Sequence, residues 1–207
     1  MAKEILMATA NPHKVERFRY YFSPLGLSVL SFADIKQKVE IVEDGKTPEE
    51  NAMKKAIAGF SATGIPTFGV DYWFYIKGLQ KEKQPGPNVR RIFVGKGGER
   101  VEATDDEMLK YYAKIVEDLG GKTQGKWVSA IALVTKSGEN VQRFEGKTLL
   151  TSVVNRNRTP GEPLNSIQID PATGKYFTDL TKDEWLNLQA KREKRYIEFM
   201  REHLNEI

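Results

Sequence analysis

Short apolar runs along this chain alternate with stretches in which apolar residues recur every three or four positions. This pattern predicts strands that alternate with helices. The first apolar run begins at Ile5 and ends near Ala8. Asn11 and Pro12 follow in the order that favours the N-cap and the first residue of a helix. We therefore expect the chain to begin with a buried strand that leads directly into a helix.

The rest of the chain continues this alternation. An apolar stripe that includes Met108, Tyr112 and Val116 predicts a helix over 105–119, and a second long helix is predicted over 182–204. Further apolar runs predict strands over 67–76, 127–134, 140–146, 149–154, 167–169 and 175–177. Together these elements predict an α/β fold with a mixed central sheet flanked by helices. We expect residues 1–207 to form one domain.

A second strand–helix unit is predicted further along the chain. A strand ends near Val42, the chain turns at Gly45, and a helix begins with Thr47 as N-cap and Pro48 as its first residue. Glu50 lies three positions after Thr47, which is the spacing of a capping box. Helix capping explains these residues without any further function.

Capping does not explain the composition of this second helix. Ala52, Ala56 and Phe60 recur every four positions, so we expect this row to face the core. Asn51 and Lys55 form a second row beside it. A lysine next to a core-facing row is costly to bury unless its ammonium group meets an anion. The pattern therefore predicts a negatively charged partner for Lys55.

Polar and charged residues also lie near both predicted helix starts. The free N–H groups of a helix that begins at the carboxyl end of a central strand attract anions. Thr9 and Asn11 can donate hydrogen bonds there, and Lys14 adds a positive charge. Glu43 precedes the second helix and could hold a hard cation with its carboxylate. For the first segment, a capped helix with a surface lysine is the alternative interpretation.

Three blocks of sequence resemble the inosine-triphosphate pyrophosphatase family, whose members hydrolyse noncanonical purine nucleoside triphosphates. The first is Thr-x-Asn-x-x-Lys at 9–14, and the second is Glu-x-Gly-x-Thr-x-x-Glu-Asn-Ala-x-x-Lys-Ala at 43–56. The third is Phe-Gly-Val-Asp at 68–71, followed by Pro-Gly at 85–86 and by Arg91. The blocks occur in order within the first half of the chain. The resemblance implies an active-site crevice between two lobes.

Several segments depart from the pattern of that family. Where the family has paired aspartates followed by Ser-Gly-Leu, this chain has Val-Asp-Tyr-Trp-Phe at 70–74. The family's Gly-Phe-Gly-Tyr-Asp-Pro motif corresponds to 161–166, its Ser-His-Arg motif to 189–191, and the preceding lysine to Trp185. We therefore expect the phosphate and metal side of the site to be retained and the base-contacting side to differ.

The resemblance implies a Mg²⁺-dependent enzyme that releases pyrophosphate from a nucleoside triphosphate and leaves the monophosphate. Glu43 and Asp71 would hold the ion, since Mg²⁺ is commonly bound by one or two carboxylates. Asp71 would also help to activate the attacking water, and a salt bridge is its alternative role. Lys14 and Lys55 would bind the phosphates. The expected catalytic residues are Asp71, Lys14 and Glu43. The other expected substrate-binding residues are Thr9, Asn11, Lys55, Arg91, Asn165 and Trp185.

Base recognition and assembly are further expectations. Asn165 offers a donor and an acceptor to a purine edge. Trp185 could stack on a base, although a tryptophan in a final helix is more often part of the core. The resemblance also implies a homodimer, and the aromatic residues 72–74 could contribute either to its interface or to the core. Selectivity is expected to differ from the family's inosine and xanthosine preference.

Composition narrows the possible chemistry. The chain has no cysteine and only two histidines, His13 and His203, which argues against a thiol nucleophile, a histidine-rich metal site and a Ser-His-Asp triad. No apolar run approaches the length of a membrane span, and the first residues lack the layout of a signal peptide. We therefore expect a cytoplasmic protein without a membrane partner.

Two other classes of function remain open at this point. A nucleotide-binding protein of the same fold that has lost turnover would be consistent with valine at position 70. A nucleic-acid-associated protein would use the basic segment 77–83 and the net charge of +4. Nucleic-acid-binding proteins typically have a denser basic surface than this chain offers, with aromatic residues interleaved. This class is therefore the least supported.

Overall fold

The structure, a computed structural model, describes residues 2–94 and 98–207, apart from the side chains of Leu186, Arg192 and Glu193. The strands of this described part are β1 (Lys3–Met7), β2 (Leu27–Leu30), β3 (Thr67–Ile76), β4 (Arg91–Val94), β5 (Glu99–Glu102), β6 (Lys122–Thr135), β7 (Gly138–Thr151) and β8 (Gln168–Ile169). The α-helices are α1 (Pro12–Phe22), α2 (Pro48–Thr63), α3 (Asp105–Asp118) and α4 (Lys182–Glu202). None of the helices described is both long and apolar enough to cross a membrane.

The main sheet is mixed, as the sequence predicted. Its strand order is β2-β1-β3-β6-β7-β8, and β4 and β5 form a separate antiparallel ribbon. Strand β1 is parallel to both β2 and β3, whereas β7 and β8 are antiparallel. Helix α1 therefore begins just beyond the carboxyl end of β1, and Asp71 lies within β3, three positions beyond Phe68, the partner of Met7 at that end.

The chain divides into two compact units. The first unit comprises Met1–Tyr72, Ser129–Phe144 and Gln189–Ile207, and the second comprises Trp73–Val128 and Glu145–Leu188. The prediction of one domain over 1–207 is not decided by this division.

In the first unit, helices cover both faces of the sheet. Residues of α1 and α4, including Phe18 and Phe199, pack in one apolar cluster with Val70 and Ile131. Residues of α2, including Ala52, pack in a second cluster with the alternate positions of β6. Because successive side chains of a strand point to opposite faces, the two clusters lie on opposite sides of the sheet.

The second unit has a core of its own. Helix α3 contributes Met108, Leu109, Tyr112 and Val116 to it, which are four of the residues in its predicted apolar stripe. The other buried members of this core are Phe74, Ile76, Ile92, Ala103, Leu150, Leu164 and Ile167.

Two predicted strands are wrong. Residues 37–45, where a strand was expected to end near Val42, have no regular secondary structure, and the second strand is β2. Val39 and Ile41 precede Val42 and are separated by the polar Glu40, which is the alternation of a strand. Their side chains instead pack against an apolar cluster that contains Leu6, so they are partly buried without strand pairing. The strands predicted at 140–146 and 149–154 form one long strand, β7, which ends at Thr151. The strand predicted at 175–177 is the second wrong one, because Tyr176 forms only an isolated bridge with Ile169 and a 3₁₀ helix begins at Phe177.

Candidate active site

The start of α1 follows β1 as predicted. The side chain of Asn11 accepts hydrogen bonds from the backbone N–H groups of His13 and Lys14 at 3.0 and 3.2 Å, and Pro12 is the first helical residue. The Thr9 hydroxyl oxygen accepts from the Asn11 N–H at 3.2 Å. These bonds use side-chain oxygens, so the Thr9 O–H and the Asn11 amide N–H groups are the donors available to a ligand.

The turn before α2 is closed by side chains of the helix itself. Thr47 caps the helix and accepts from the Glu50 N–H at 3.1 Å. The predicted capping box is wrong in its second bond, because the Glu50 carboxylate accepts from the Lys46 N–H at 2.7 Å and not from that of Thr47. The Gly45 N–H donates to Asn51 Oδ1 at 2.8 Å. The segment that carries Glu43 is thus fixed to the first turns of α2.

Lys55 connects two carboxylates in the interior of the first unit. Its Nζ atom lies 2.8 Å from Asp71 Oδ1 and 2.7 Å from Glu43 Oε2. The side chains of Lys55 and Asp71 are 8% and 9% exposed, whereas that of Glu43 is 50% exposed. Asn51 Nδ2 donates to Asp71 Oδ2 at 3.3 Å. The predicted anionic partner of Lys55 is therefore present, and the salt bridge considered for Asp71 is formed.

A close approach of β3 to α2 creates this geometry. A Cβ atom at Gly69 would lie 2.3 Å from the carbonyl oxygen of Ala52 and 2.7 Å from Cβ of Lys55. Gly69 and Asp71 are two positions apart on β3, so both face α2. Glycine at 69 and the fully buried alanines at 52 and 56 bring Asp71 within reach of the Lys55 ammonium.

Replacing Gly69 with alanine is expected to destabilise the protein by about 2 kcal/mol, because overpacking at a tight contact forces the backbone to shift. Urea unfolding measures the effect. Gly146→Ala is the matched control, since an added Cβ at this strand position would meet no atom within 4 Å. Equal stability of the two variants would contradict the close approach of β3 to α2.

Lys14 belongs to the same electrostatic group. Its Nζ atom lies 5.3 Å from the centroid of the Tyr72 ring. Burial lowers the pKa of Lys14, and the positive charge of Lys55 lowers it further, whereas the carboxylates of Asp71 and Glu43 raise this pKa. A bound phosphate would favour the charged form of Lys14 in the same way as these carboxylates do.

Arg91, Asn165 and Trp185 lie in the second unit. Arg91 is exposed and forms an ion pair with Glu102 at 3.6 Å. Asn165 is buried, and its Nδ2 atom donates to a Glu162 carboxylate oxygen at 2.9 Å.

Trp185 is partly buried and packs edge-on against Phe177, with 6.3 Å between the ring centroids. The expectation that a final-helix tryptophan contributes to packing agrees with this contact.

The first unit thus contains six of the predicted site residues: Thr9, Asn11, Lys14, Glu43, Lys55 and Asp71. Two residues that the sequence did not assign to the site also contact this group. Asn51 bonds to Asp71, and Tyr72 lies beneath Lys14. The sequence pattern could have identified Asn51, because this residue lies in the same helix row as Lys55. Within residues 2–94 and 98–207, no group of three or more histidine, cysteine or acidic side chains is arranged to hold a metal.

Comparison with known proteins gives matches over most of the chain. The model of the Ham1 family matches residues 5–185. The dITP/XTP pyrophosphatase of Corynebacterium efficiens is 34% identical over 167 residues, covering 78% of this chain and 77% of that protein. The dITP/XTP pyrophosphatase of Leptospira interrogans is 28% identical over 205 residues, covering 97% of each protein.

A solved structure shows the same fold. The structure of a HAM1 protein from Coxiella burnetii matches with a TM-score of 0.77 and 20% sequence identity. The match covers 99% of this chain and 100% of that chain. At this level of identity the likeness concerns the fold alone.

Proposed function

Because this chain belongs to the Ham1 family, we propose that it is a nucleoside-triphosphate diphosphatase. Its substrates in this proposal are noncanonical purine ribo- or deoxyribonucleoside triphosphates, and its products are the monophosphate and pyrophosphate. Relatives named dITP/XTP pyrophosphatase support this substrate class.

The observation that carries the proposal is the buried contact of Lys55 with Asp71 and Glu43. Burying charged groups is expensive, so a lysine and a carboxylate at 8% and 9% exposure need a reason to be retained. A site that must bind both phosphate and a cation would explain why these buried charged residues are retained. Glu43, which is half-exposed, connects this buried pair to the protein surface.

Mg²⁺ is the proposed cofactor, and the two carboxylates fit it. Glu43 Oε2 and Asp71 Oδ1 both contact the Lys55 ammonium group, so the two carboxylates are close enough together to share a bound cation. Mg²⁺ is commonly bound by one or two carboxylates, with water and phosphate oxygens as further ligands. When bound, the ion would neutralise charge on the triphosphate oxygens.

The protein's own residues then perform three tasks. Lys14 and Lys55 place positive charge against the phosphates, and Thr9 and Asn11 donate hydrogen bonds from the start of α1. Asp71 accepts a proton from the water that attacks the α-phosphorus. The bond between the α-phosphorus and its bridging oxygen to the β-phosphorus breaks, and pyrophosphate leaves with the electron pair of that bond.

The environment of Val70 supports an active enzyme over the alternative of a nucleotide-binding protein that has lost turnover. Val70 is 3% exposed and belongs to the apolar cluster with α1 and α4, whereas Asp71 faces α2. An acidic residue at position 70 would therefore face that apolar cluster and not the Lys55 ammonium. The valine completes the core on its own side and leaves the Asp71 side unchanged.

Base selectivity is expected to differ from a strict preference for ITP and XTP. Asn165 donates to Glu162, so its amide presents a different edge to a purine than the acid of the family motif. The ratios of kcat/KM for ITP, XTP, dITP, GTP and ATP, measured by pyrophosphate release, test this expectation. Strong hydrolysis of ITP and XTP with negligible hydrolysis of the other three would contradict it.

We also propose that the protein is a homodimer, as the family resemblance implies. Trp73 and Phe74 are 9% and 0% exposed within one chain, so these two aromatic residues serve the core and the interface must lie elsewhere. Static light scattering at micromolar concentration is expected to give twice the mass of the 23.5 kDa chain. The mass of a single chain under these conditions would overturn the dimer.

A further inference from the structure

Tyr72 occupies a position at the site for which the proposed reaction gives no role. The Lys14 Nζ atom lies 5.3 Å from the centroid of its ring. This distance is within the range at which an ammonium group is attracted to the face of an aromatic ring. Tyr72 directly follows Asp71 on β3, so its side chain lies on the α1 side of the strand.

The ring of Tyr72 is itself held in place. Its hydroxyl group forms a hydrogen bond with Tyr196, and the Tyr196 hydroxyl donates to Ser129 Oγ at 2.9 Å. The Tyr196 ring packs edge-on against Phe18 and Phe144, each with 5.3 Å between centroids. Tyr196 of α4, the hydrogen-bond partner of Tyr72, is therefore held by contacts with α1 and with the β6–β7 pair.

Lys14 needs such support because its surroundings act on it in opposite directions. The positive charges of Lys55 and Arg17 repel its ammonium group, whereas the carboxylates of Asp71 and Glu43 attract it. Without a further contact, the lysine side chain would be drawn toward the carboxylates, which already bind Lys55. A lysine in that position would compete with a cation and would be less available to phosphate.

We propose that Tyr72 is a positioning residue, whose ring face holds the Lys14 ammonium group in place for the triphosphate of the substrate. The proposal rests on the proposed function, since it concerns the phosphate contact of Lys14. Tyr72 acts through Lys14 and does not itself contact the reacting atoms. The hydroxyl group of Tyr72 serves to orient the ring, and the ring face provides the interaction.

A double-mutant cycle with inorganic triphosphate tests this role. Binding is measured by calorimetry in EDTA, where Mg²⁺-dependent turnover is prevented, for the wild type, Tyr72→Leu, Lys14→Met and the double variant. Tyr72→Leu is expected to raise Kd about 3- to 30-fold, the range that corresponds to a cation–π interaction. In the Lys14→Met background the same change is expected to have no effect. An equal effect in both backgrounds would overturn the proposal.

Two further variants distinguish the contribution of the Tyr72 ring to triphosphate binding from that of its hydroxyl group and from general effects of packing. Tyr72→Phe keeps the ring face, so its Kd is expected to stay within about twofold of the wild type. Tyr75→Leu is the matched control, because Tyr75 lies on the same strand with Lys126 Nζ 5.8 Å from its ring centroid. It should leave Kd unchanged. A loss in Tyr72→Phe equal to that in Tyr72→Leu would refute the role of the ring. Tyr72→Met replaces Tyr72→Leu if the latter does not fold.

A spectroscopic measurement tests the contact without any nucleotide or phosphate. Ring currents are expected to move the Lys14 Hε resonances upfield in the wild type and in Tyr72→Phe, and Tyr72→Leu should remove this shift. Unshifted resonances in the wild type would overturn the positioning role whatever the enzyme's activity. A normal ring-current shift with unchanged triphosphate binding in Lys14→Met would instead overturn the phosphate site, and with it this proposal's premise.

Discussion

Replacing Asp71 with asparagine is expected to lower kcat for triphosphate hydrolysis by about 10²- to 10⁴-fold, the typical contribution of a general base. Asparagine has nearly the same shape and keeps one oxygen, which can accept from Lys55, and it loses only the longer 3.3 Å bond from Asn51, so the fold should be retained. It cannot accept the proton of the attacking water at neutral pH. Steady-state pyrophosphate release with saturating substrate and Mg²⁺ measures the loss.

Glu43→Gln is expected to show a similar loss that is partly recovered at high Mg²⁺ concentration, because it weakens the proposed ion site without removing the proposed base. Asp44→Asn is the matched control, since Asp44 is the next residue and its side chain is 69% exposed with Lys54 as partner. It should retain near-wild-type activity. Activity close to wild type in Asp71→Asn or Glu43→Gln would remove that residue from the proposed mechanism.

The second large effect is expected at Lys55. Lys55→Met would leave the buried Asp71 carboxylate without its ammonium partner, and breaking a buried ion pair in this way costs about 3–5 kcal/mol. Triphosphate affinity should fall as well. Urea unfolding and triphosphate binding measure the two losses. Lys54→Met provides the control, because Lys54 is the neighbouring lysine, is 43% exposed and pairs with the exposed Asp44.

The stability loss in Lys55→Met should come from the charge that remains on the buried Asp71 carboxylate. Adding Asp71→Asn to Lys55→Met removes this charge and should restore much of the stability at neutral pH. Urea unfolding of the double variant measures the recovery. A double variant that is no more stable than Lys55→Met would contradict the ion pair as the cause of the loss.

Much of the fold follows from local signals that act within a few residues. The Asn11–Pro12 and Thr47–Pro48 pairs fix two helix starts because capping depends only on neighbouring backbone groups. The apolar stripe of α3 identifies its buried face.

Of the failed predictions near Val42 and at Glu50, the first has a long-range cause and the second a local one. Val39 and Ile41 have the alternation of a strand, but no neighbouring strand pairs with them, and their side chains fill an apolar cluster instead. Glu50 has the spacing of a capping box, but the local turn offers the Lys46 N–H as a better-placed donor.

The predictions for the candidate site also succeeded where the signal was local and failed where the contact is long-range. The sequence identified Lys55 as a residue that needs an anion, because its helix row is buried. It could not show that Glu43 and Asp71 both bind this ammonium, since that depends on how closely β3 approaches α2. The role of Tyr72 was also hidden. Its contact with Lys14 joins β3 to α1, and no local pattern on either segment indicates it.

The products formed from dITP in the presence of Mg²⁺ test the central claim most directly. Phosphorus NMR of the reaction mixture identifies each phosphate product and its amount. Attack on the α-phosphorus predicts deoxyinosine monophosphate and pyrophosphate in equal amounts, with no diphosphate intermediate and with no reaction by Asp71→Asn on the same timescale. Release of inorganic phosphate with the nucleoside diphosphate, or an unchanged dITP spectrum in the wild type, would contradict the assignment as a nucleoside-triphosphate diphosphatase.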